Sequence, residues 1–262
     1  MKIIHSEKKF KKALTNIIKK PFPYVIIDNF LNNSFARNIY SEFPDYEENI
    51  WHSYNNYCEK KKTLNNWNFF KPYTYQLFSY LNSQVFINKI QKYLTKETIF
   101  SDDGLHGAGL SIMKNNSGKL NPHLDNSIHP KNGLLRKYNL ILFINKKWGK
   151  NNGGCLNFYN TNKINKKLNG ELVKSIEPVY NRCVIFDTSM NSWHGVGKIS
   201  KNVNLYRKSI QIYYFVKKTP KNKRLKVLYA PLASQKKNKK ILNFIKKRSS
   251  MKKFSKVYIV KK

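Results

Sequence analysis

A series of short β-forming runs, which begins near residue 105, constrains the fold of this chain most. The runs are GLSIM, YNLILFI, CLNFY, KSIEPVY, CVIFD and RKSIQIYYFV. Gly- and Asn-rich connections such as NNSGK and KKWGKNNGG separate them. Short runs rich in β-branched and aromatic residues, bounded by turn residues, are typical of strands. Many such strands in series predict an all-β barrel or sandwich.

The residues before this region follow a different pattern. The sequence predicts a strand over Tyr24–Ile27, then a helix from about residue 33 to 43 that ends before a proline. Residues 45–68 are polar and aromatic without a clear period. Residues 73–94 carry apolar side chains at helical spacing, with a break near Asn82, which predicts two helices.

These patterns predict an α+β chain that is mainly β, with three segments. Residues 1–104 form an N-terminal strand and helices that support the barrel. Residues 105–218 form the barrel itself. Residues 219–262 form a Lys-rich extension whose stretch KKNKKILNFIKKRS resembles a basic amphipathic helix.

The formal net charge is +36 at pH 7, from 50 Lys and Arg against 14 Asp and Glu. One interpretation is a polyanionic partner, either nucleic acid or a membrane surface. The other is codon composition, because Lys, Asn and Ile share A/T-rich codons. We favour the second interpretation, because nucleic-acid sites tend to use Arg for its bidentate geometry and Arg is scarce here.

The remaining composition argues for a reducing setting. No stretch approaches the ~20 apolar residues that span a bilayer, and the opening MKIIHSEKKFKK lacks a secretory apolar region. The three cysteines are odd in number and widely spaced, which argues against a disulfide framework. We therefore expect a cytoplasmic protein.

Two histidines and an aspartate are candidate metal ligands. His123 and Asp125 lie in LNPHLDNSIHP, and His194 lies in NSWHGVG just after a β run. Alone, His-x-Asp is also compatible with a polar turn, but alternate residues at a strand edge point the same way. A barrel allows the third ligand to come from a distant strand. Two imidazoles and one carboxylate on one face of a metal form the facial triad of non-haem Fe(II) oxygenases.

A candidate anion receptor lies on the last long β run. Arg207 and Ser209 share one face of RKSIQIYYFV. A guanidinium with a neighbouring hydroxyl suits a carboxylate. A surface ion pair is the alternative for Arg207, and we disfavour it because the apolar residues that follow predict a buried strand.

The span from about 105 to 216 resembles the 2-oxoglutarate- and Fe(II)-dependent dioxygenases, particularly their prolyl 4-hydroxylase-like branch. The matching stretches, in order, are HLDNSIHP, RKYNLILFINKKWGKNNGGCLNFYN, IEPVYNRCVIFDTSMNSWHGV and RKSIQIYYF. The opening PFPYVIIDNFL is also similar, so the resemblance covers most of residues 21–216. It implies a double-stranded β-helix core of the jelly-roll, cupin-like type with N-terminal supporting helices.

The resemblance also implies roles for individual residues. His123, Asp125 and His194 correspond to the iron ligands. Arg207 corresponds to the residue that binds the distal carboxylate of 2-oxoglutarate, with Ser209 as its helper. The positions that would line the cosubstrate pocket are Met113, Leu120, Ile141, Leu156, Val196 and Tyr213.

One position departs from the pattern. Phe143 lies where animal-type prolyl hydroxylases have a tyrosine that hydrogen-bonds the same carboxylate. The missing hydroxyl would have to be replaced by Ser209, Asn139 or water.

The activity implied is hydroxylation of an unactivated C–H bond, with release of succinate and CO2. The cofactors implied are Fe(II), 2-oxoglutarate and O2, with ascorbate as a further candidate. A prolyl residue of a protein or peptide is the leading substrate, and a small metabolite, a sugar-linked compound or nucleic acid are alternatives. Asp125 favours hydroxylation over halogenation, which needs that position vacant for chloride.

Two further alternatives are disfavoured. Alkylated-base demethylases carry a second arginine six residues past the cosubstrate arginine, where this chain has Tyr213. A non-catalytic basic binding protein would have no reason to keep the whole set of ligands. If the charge is compositional, deletion of residues 221–262 should leave 2-oxoglutarate decarboxylation nearly intact. An extension that is needed for catalysis on the true substrate, but not for uncoupled turnover, would instead indicate substrate docking.

Overall fold

The computed structural model of this chain describes five stretches, residues 2–115, 118–161, 168–188, 191–217 and 227–249. Parts of the predicted C-terminal extension, residues 219–226 and 250–262, therefore lie outside the described residues. No helix within these stretches is long and apolar enough to cross a membrane.

Five α-helices are present in these stretches. They are α1 (Glu7–Thr15), α2 (Asn33–Glu42), α3 (Pro72–Asn82), α4 (Gln84–Leu94) and α5 (Lys239–Ser249). The side chains of Asn32 and Ser83 cap α2 and α4, each by accepting a backbone N–H of the first turn. Glu42, the last residue of α2, accepts the N–H groups of Tyr73 and Thr74 and thereby fixes the start of α3 against α2. The sequence prediction for α2, α3 and α4 is confirmed to within one or two residues.

Within the described residues, twelve strands form one antiparallel sheet. They are β1 (Tyr24–Ile27), β2 (His52–Asn55), β3 (Glu59–Leu64), β4 (Gly109–Met113), β5 (Lys119–Leu124), β6 (Leu135–Phe143), β7 (Leu156–Thr161), β8 (Leu168–Ile176), β9 (Arg182–Asp187), β10 (His194–Val196), β11 (Arg207–Val216) and β12 (Leu228–Tyr229). The order along the sheet is β1-β9-β6-β11-β4-β3-β5-β10-β7-β8, with β2 on β3 and β12 on β5. The sheet curls into a double-stranded β-helix, and this confirms the predicted fold class.

Alternation along β6 separates two apolar cores. Leu140 and Leu142 face the N-terminal helices, where the larger core lies. Ile141 and Phe143 point the other way, into the curled sheet, and pack with Phe158 and other side chains from β1, β7, β8 and β9. Successive side chains of a strand point to opposite faces, so a strand that is apolar on both faces must lie between two layers. The near-continuous apolar run of β6 is therefore a consequence of this position.

Two parts of the sequence prediction need correction. Residues 45–68 contain β2 and β3, and β3 joins the two halves of the sheet by pairing with both β4 and β5. Polar and half-exposed side chains hide the alternation that would have indicated these strands. The run KSIEPVY is also only partly a strand, because β8 ends at Ile176 and Pro178 cannot donate to a ladder. The predicted boundaries at residues 104 and 218 stay predictions.

Asn181 ties the N-terminal segment to the sheet. Its side-chain amide donates to the Leu31 carbonyl and accepts from the Leu31 N–H, both at 2.9 Å, and Asn181 is 1% exposed. Its φ of +61° lies in the left-handed region, which Asn tolerates better than most residues.

We predict that Asn181→Ala lowers the free energy of unfolding by about 2–4 kcal/mol, because two buried Leu31 groups lose their partners and alanine is strained at this φ. Asn181→Gly removes the same two hydrogen bonds without the strain and should be less destabilising by about 1 kcal/mol. Urea unfolding measures both. Equal losses for the two variants would show that backbone strain contributes nothing at this position.

Candidate functional site

The metal-ligand candidates come together because β5 and β10 are neighbours. His194 and His123 are directly paired across these antiparallel strands, so their side chains leave the same face of the sheet. Their ring centroids are 4.3 Å apart. Asp125 lies two residues beyond His123, and its carboxylate oxygens are 3.5 Å from His123 Nε2 and 3.7 Å from His194 Nε2. The ligand atoms of all three residues lie within 4.8 Å of one another.

Hydrogen bonds on the far side of each ring fix the protonation of both histidines. His123 Nδ1 lies 3.0 Å from the Asn121 carbonyl, and His194 Nδ1 lies 2.8 Å from the Ser192 carbonyl. A carbonyl oxygen can only accept, so each Nδ1 must carry the proton. Each Nε2 is then a bare lone pair that faces Asp125. Metal-binding histidines have this arrangement, with the second nitrogen donating to a carbonyl or carboxylate.

Burial keeps this cluster in the ionisation states that a cation needs. Burial, with the neighbouring His123, lowers the pKa of His194 to about 4, so the imidazole is neutral at physiological pH. Burial alone would raise the pKa of Asp125, but the adjacent His194 and His123 hold it well below its usual range. The neutral His194 therefore presents a lone pair beside the Asp125 carboxylate. Such a donor set fits a divalent transition metal.

Two neighbouring side chains orient the Asp125 carboxylate. The Tyr213 hydroxyl donates to Asp125 Oδ1 at 3.2 Å, and Gln211 donates to that hydroxyl at 2.7 Å. The Asn139 amide donates to Oδ2 at 3.4 Å. Burial raises the pKa of Tyr213 well above its usual value, so the phenol keeps its proton and remains a donor. These contacts hold the carboxylate where it faces both histidines.

Arg207 lies deep in the same cavity. It is 3% exposed, and its Nε donates to the Gly154 carbonyl at 2.7 Å. Its guanidinium carbon lies 5.0 Å from the centre of the Phe143 ring, and Nη1 is 3.5 Å from the Ser209 hydroxyl. Burial lowers its pKa to about 10, which leaves it protonated at neutral pH. No carboxylate in the described stretches forms a salt bridge with it.

Gly154 makes room for Arg207. Its φ of +67° lies in the left-handed region, and a Cβ there would come within 3.1 Å of the Arg207 side chain and 3.2 Å of Trp148 and Ile199. A side chain at this position would push the guanidinium out of place. The Gly153-Gly154 pair therefore serves the anion receptor as well as the turn.

A cavity of about 220 Å³ joins the metal-ligand cluster to Arg207. All but two of the predicted site residues line it: His123, Asp125, His194, Arg207, Ser209, Met113, Leu120, Ile141, Leu156, Val196 and Tyr213. The two exceptions are Asn139 and Phe143, which are fully buried and contact lining residues instead. Asn139 faces Asp125, so it is not placed to replace the missing tyrosine hydroxyl beside Arg207.

Comparison with known proteins agrees with this geometry. Residues 108–215 match the 2OG-Fe(II) oxygenase superfamily. The matched residues, which include the whole ligand set, belong to that superfamily. Membership implies Fe(II) and 2-oxoglutarate, and the His-Asp-His set of the superfamily is present in this oxygenase. No curated protein matches the sequence.

Solved structures with the same fold include three prolyl hydroxylases. One is the prolyl hydroxylase of Trichoplax adhaerens in complex with a hypoxia inducible factor peptide fragment, at 16% identity and a TM-score of 0.58 over 80% of this chain and 90% of that one. A Pseudomonas putida prolyl-4-hydroxylase has 14% identity and a TM-score of 0.52 over 75% and 93% of the two chains. A Phytophthora capsici prolyl 4-hydroxylase has 18% identity and a TM-score of 0.52 over 80% and 63%. At these identities the likeness concerns the fold.

The C-terminal segment forms part of the cavity wall of the oxygenase. Strand β12 pairs with β5, with Tyr229 opposite His123. Arg248 of α5 donates to the buried Glu59 of β3 at 2.6 Å, and both side chains line the cavity. The expected effect of deleting residues 221–262 on 2-oxoglutarate decarboxylation stays a prediction, but the deletion would also remove β12 and α5. The segment is basic, but its described part packs on the strand that carries His123.

Arg136 also lines the oxygenase cavity, and sequence analysis missed it. Regular alternation along β6 would place Arg136 beside Leu140 and Leu142, on the core side. A bulge at Lys137 changes this, because Tyr138 pairs with Tyr214 but Arg136 already pairs with Phe215. The extra residue returns Arg136 to the cavity face, as bulges near active sites often do. An arginine within an apolar run is the one sequence signal that could have pointed to it.

A second cluster beside the cavity consists of Asp102, His106 and His129. His129 Nδ1 accepts the backbone N–H groups of Lys131 and Asn132, each at 3.2 Å, so the His129 proton is on Nε2. That nitrogen lies 3.1 Å from Asp102 Oδ1, which His106 Nδ1 also approaches at 3.0 Å. With a proton on this Nε2, His129 offers no lone pair towards the carboxylate. The cluster is therefore a hydrogen-bonded anchor for the loop before β4, not a second ligand set.

We predict that Arg248→Met lowers the free energy of unfolding by about 3–5 kcal/mol, because it leaves the Glu59 carboxylate buried without its main partner. The double variant Glu59→Gln/Arg248→Met should be more stable than Arg248→Met alone, since the charge is removed with its partner. Chemical unfolding of the single and double variants measures the coupling. Additive losses would contradict a direct pairing of these two side chains.

Proposed function

We propose that this oxygenase hydroxylates an unactivated C–H bond of an organic substrate, with 2-oxoglutarate converted to succinate and CO2. The observation that carries the proposal is that one cavity joins a set of metal-ligand side chains to a buried cation. Three metal-ready donors lie at one end, and the buried Arg207, without a carboxylate partner in the described stretches, lies deep in the same space. A metal ion and a dicarboxylate would satisfy both.

In this proposal His123, Asp125 and His194 hold Fe(II), and Arg207 with Ser209 binds the distal carboxylate of 2-oxoglutarate. The bound iron and cosubstrate supply the oxidising chemistry. The protein residues orient these groups and shield them from water. Tyr213 and Asn139 hold Asp125 in place, and Gly154 leaves space for the guanidinium.

Apolar side chains complete the cosubstrate pocket. Met113, Leu156 and Val196 are nearly buried around it, so little water reaches the bound acid. Low water content strengthens the ionic contacts of Arg207. Phe143 offers its ring face to the guanidinium instead of a hydroxyl. Ser209 is therefore the side-chain hydroxyl that we assign to the cosubstrate.

The leading substrate in our proposal is a prolyl residue of a protein or peptide. Its support is the shared fold with prolyl hydroxylases, which is an argument by analogy. Purified protein with Fe(II), 2-oxoglutarate and candidate substrates tests it through a gain of one oxygen measured by mass spectrometry. Succinate release separates an oxygenase from a non-catalytic binding protein. We also propose a cytoplasmic location, in keeping with the free thiols of Cys58, Cys155 and Cys183.

Asp125→Ala should abolish succinate release and weaken Fe(II) binding, because it removes the only carboxylate of the ligand set. Asp103→Ala is the matched control, since Asp103 is exposed and outside the cavity. Fe(II) binding measured by calorimetry and succinate measured by chromatography give two separate readouts. Near-normal turnover in Asp125→Ala would remove this carboxylate from the proposed metal site.

Arg207→Lys should raise the KM for 2-oxoglutarate, because lysine keeps the charge but loses the two parallel hydrogen bonds of the guanidinium. Arg207→Ala should raise it further, by roughly tenfold to a hundredfold, at ~1.5–3 kcal/mol for hydrogen bonds to a charged group. Fe(II) affinity should change little in both variants. An unchanged KM in Arg207→Ala would contradict the cosubstrate assignment.

A further inference from the structure

Arg136 is a second buried guanidinium with unused donors. It is 5% exposed, and the single hydrogen bond of its guanidinium in the described stretches runs from Nη2 to the His106 carbonyl at 3.0 Å. Its Nε is buried without a partner. No salt bridge joins it to a carboxylate of the described residues. The Arg136 side chain nevertheless lines the cavity that contains the metal-ligand cluster.

Aromatic contacts position this guanidinium without neutralising it. Its carbon lies 3.6 Å from the centre of the Tyr213 ring and 5.6 Å from that of Phe215. Such cation–π contacts offset part of the cost of burial. They provide no acceptor for the Nε–H group, which is buried without a partner among the described residues. A buried charge without a hydrogen-bonded counterion is costly, so the arrangement suits an anion that arrives with a ligand.

The charges of the cavity indicate which ligand this is. Its cationic side chains are Arg136, Arg207, Arg248 and Lys61, and its anionic ones are Glu59 and Asp125. Glu59 pairs with Arg248, and the proposed metal and 2-oxoglutarate engage Asp125 and Arg207. A divalent cation and a dicarboxylate cancel each other, so they do not neutralise the rest. The remaining positive charge belongs to Arg136 and to Lys61, and Lys61 Nζ lies 3.8 Å from the Glu59 carboxylate.

We propose that Arg136 binds a carboxylate of the substrate that is hydroxylated. The inference rests on the proposed function and adds the substrate class to it. The Tyr213 ring carries Arg136 on its face and touches Asp125 with its hydroxyl. A carboxylate bound to Arg136 would thus be separated from the proposed metal ligand Asp125 by about the length of the Tyr213 side-chain ring and hydroxyl. The reacting carbon and the carboxylate therefore belong to the same small acid or to one or two neighbouring residues.

Two sources can supply this carboxylate. One is a free amino or imino acid, and the other is a peptide in which the C-terminus or an acidic side chain lies next to the reacting residue. A guanidinium recognises either through two parallel charge-assisted hydrogen bonds. The corresponding amides have the same shape but neither the charge nor the second acceptor. Acid and amide pairs therefore measure the contribution of Arg136 directly.

The test uses the full-length protein with Fe(II) and 2-oxoglutarate. The probes are three matched pairs: L-proline and L-prolinamide, a peptide ending in proline as acid and as amide, and a peptide with internal Pro-Glu or Pro-Gln. Calorimetry without oxygen gives the Kd of each probe, and succinate release in air gives its KM. We expect the acid of at least one pair to bind at least roughly tenfold more tightly than its amide. The pair that shows the preference identifies the source of the carboxylate.

Arg136→Gln should remove the preference for the acid and leave the affinity for the amide nearly unchanged. Arg136→Lys should retain part of the preference for the acid. Arg37→Gln is the matched control, because it removes the same charge from an exposed site on α2 and should keep the full preference. The preference should also survive high salt, since a buried pair is screened far less than the diffuse surface charge.

The proposal is overturned if no acid binds more tightly than its amide, or if Arg136→Gln keeps the preference. Because the calorimetric measurement needs no turnover, it decides the question even for slow substrates. The proposed function fails in a different way, through absence of succinate with every probe and with 2-oxoglutarate alone. Turnover without any acid preference would contradict only the role of Arg136.

Discussion

The pairing of β5 with β10 is the constraint on which the rest of the site depends. It places His123 opposite His194, whereas the two residues are far apart in the chain. The carbonyls of Asn121 and Ser192 then fix both tautomers, so that the two bare nitrogens face one carboxylate. A shift of this register by one residue would turn one histidine to the opposite face and remove the ligand set. The register between β5 and β10 therefore determines the geometry of the metal-ligand side chains.

The cavity keeps charged groups out of water before any ligand is bound. Asp125, Arg207 and Arg136 are each at most 6% exposed. Desolvation opposes charge on such groups, as the lowered pKa of Arg207 shows. A glycine carbonyl orients Arg207 and an aromatic face orients Arg136, and no carboxylate of the described residues forms a salt bridge with either guanidinium. Burial of these charges lowers the stability of the ligand-free protein, and the binding of ionic ligands offsets this loss.

Segments on both sides of the central β region complete the site. Strand β3 pairs with β4 and with the start of β5, and β12 pairs with the end of β5 on the same edge, opposite β10. The ion pair of Glu59 with Arg248 then joins β3 to α5 across the cavity wall. The strand that carries His123 thus depends on residues from the N-terminal and C-terminal parts of the chain. Oxygenase chemistry in this protein cannot be assigned to residues 108–215 in isolation.

The sequence by itself determined the ligand types, the helices α2 to α4 and most strands, because alternation, caps and ordered motifs are local. It also indicated Arg207, since an arginine at the start of an apolar run has few other uses. Only the tertiary structure decided the rest. The bulge at Lys137 reverses the alternation that would bury Arg136 in the core, and a bulge has no reliable sequence signal. Strand β3 was hidden because most of its side chains are polar, and the docking of α5 was hidden because its partners lie far away in sequence.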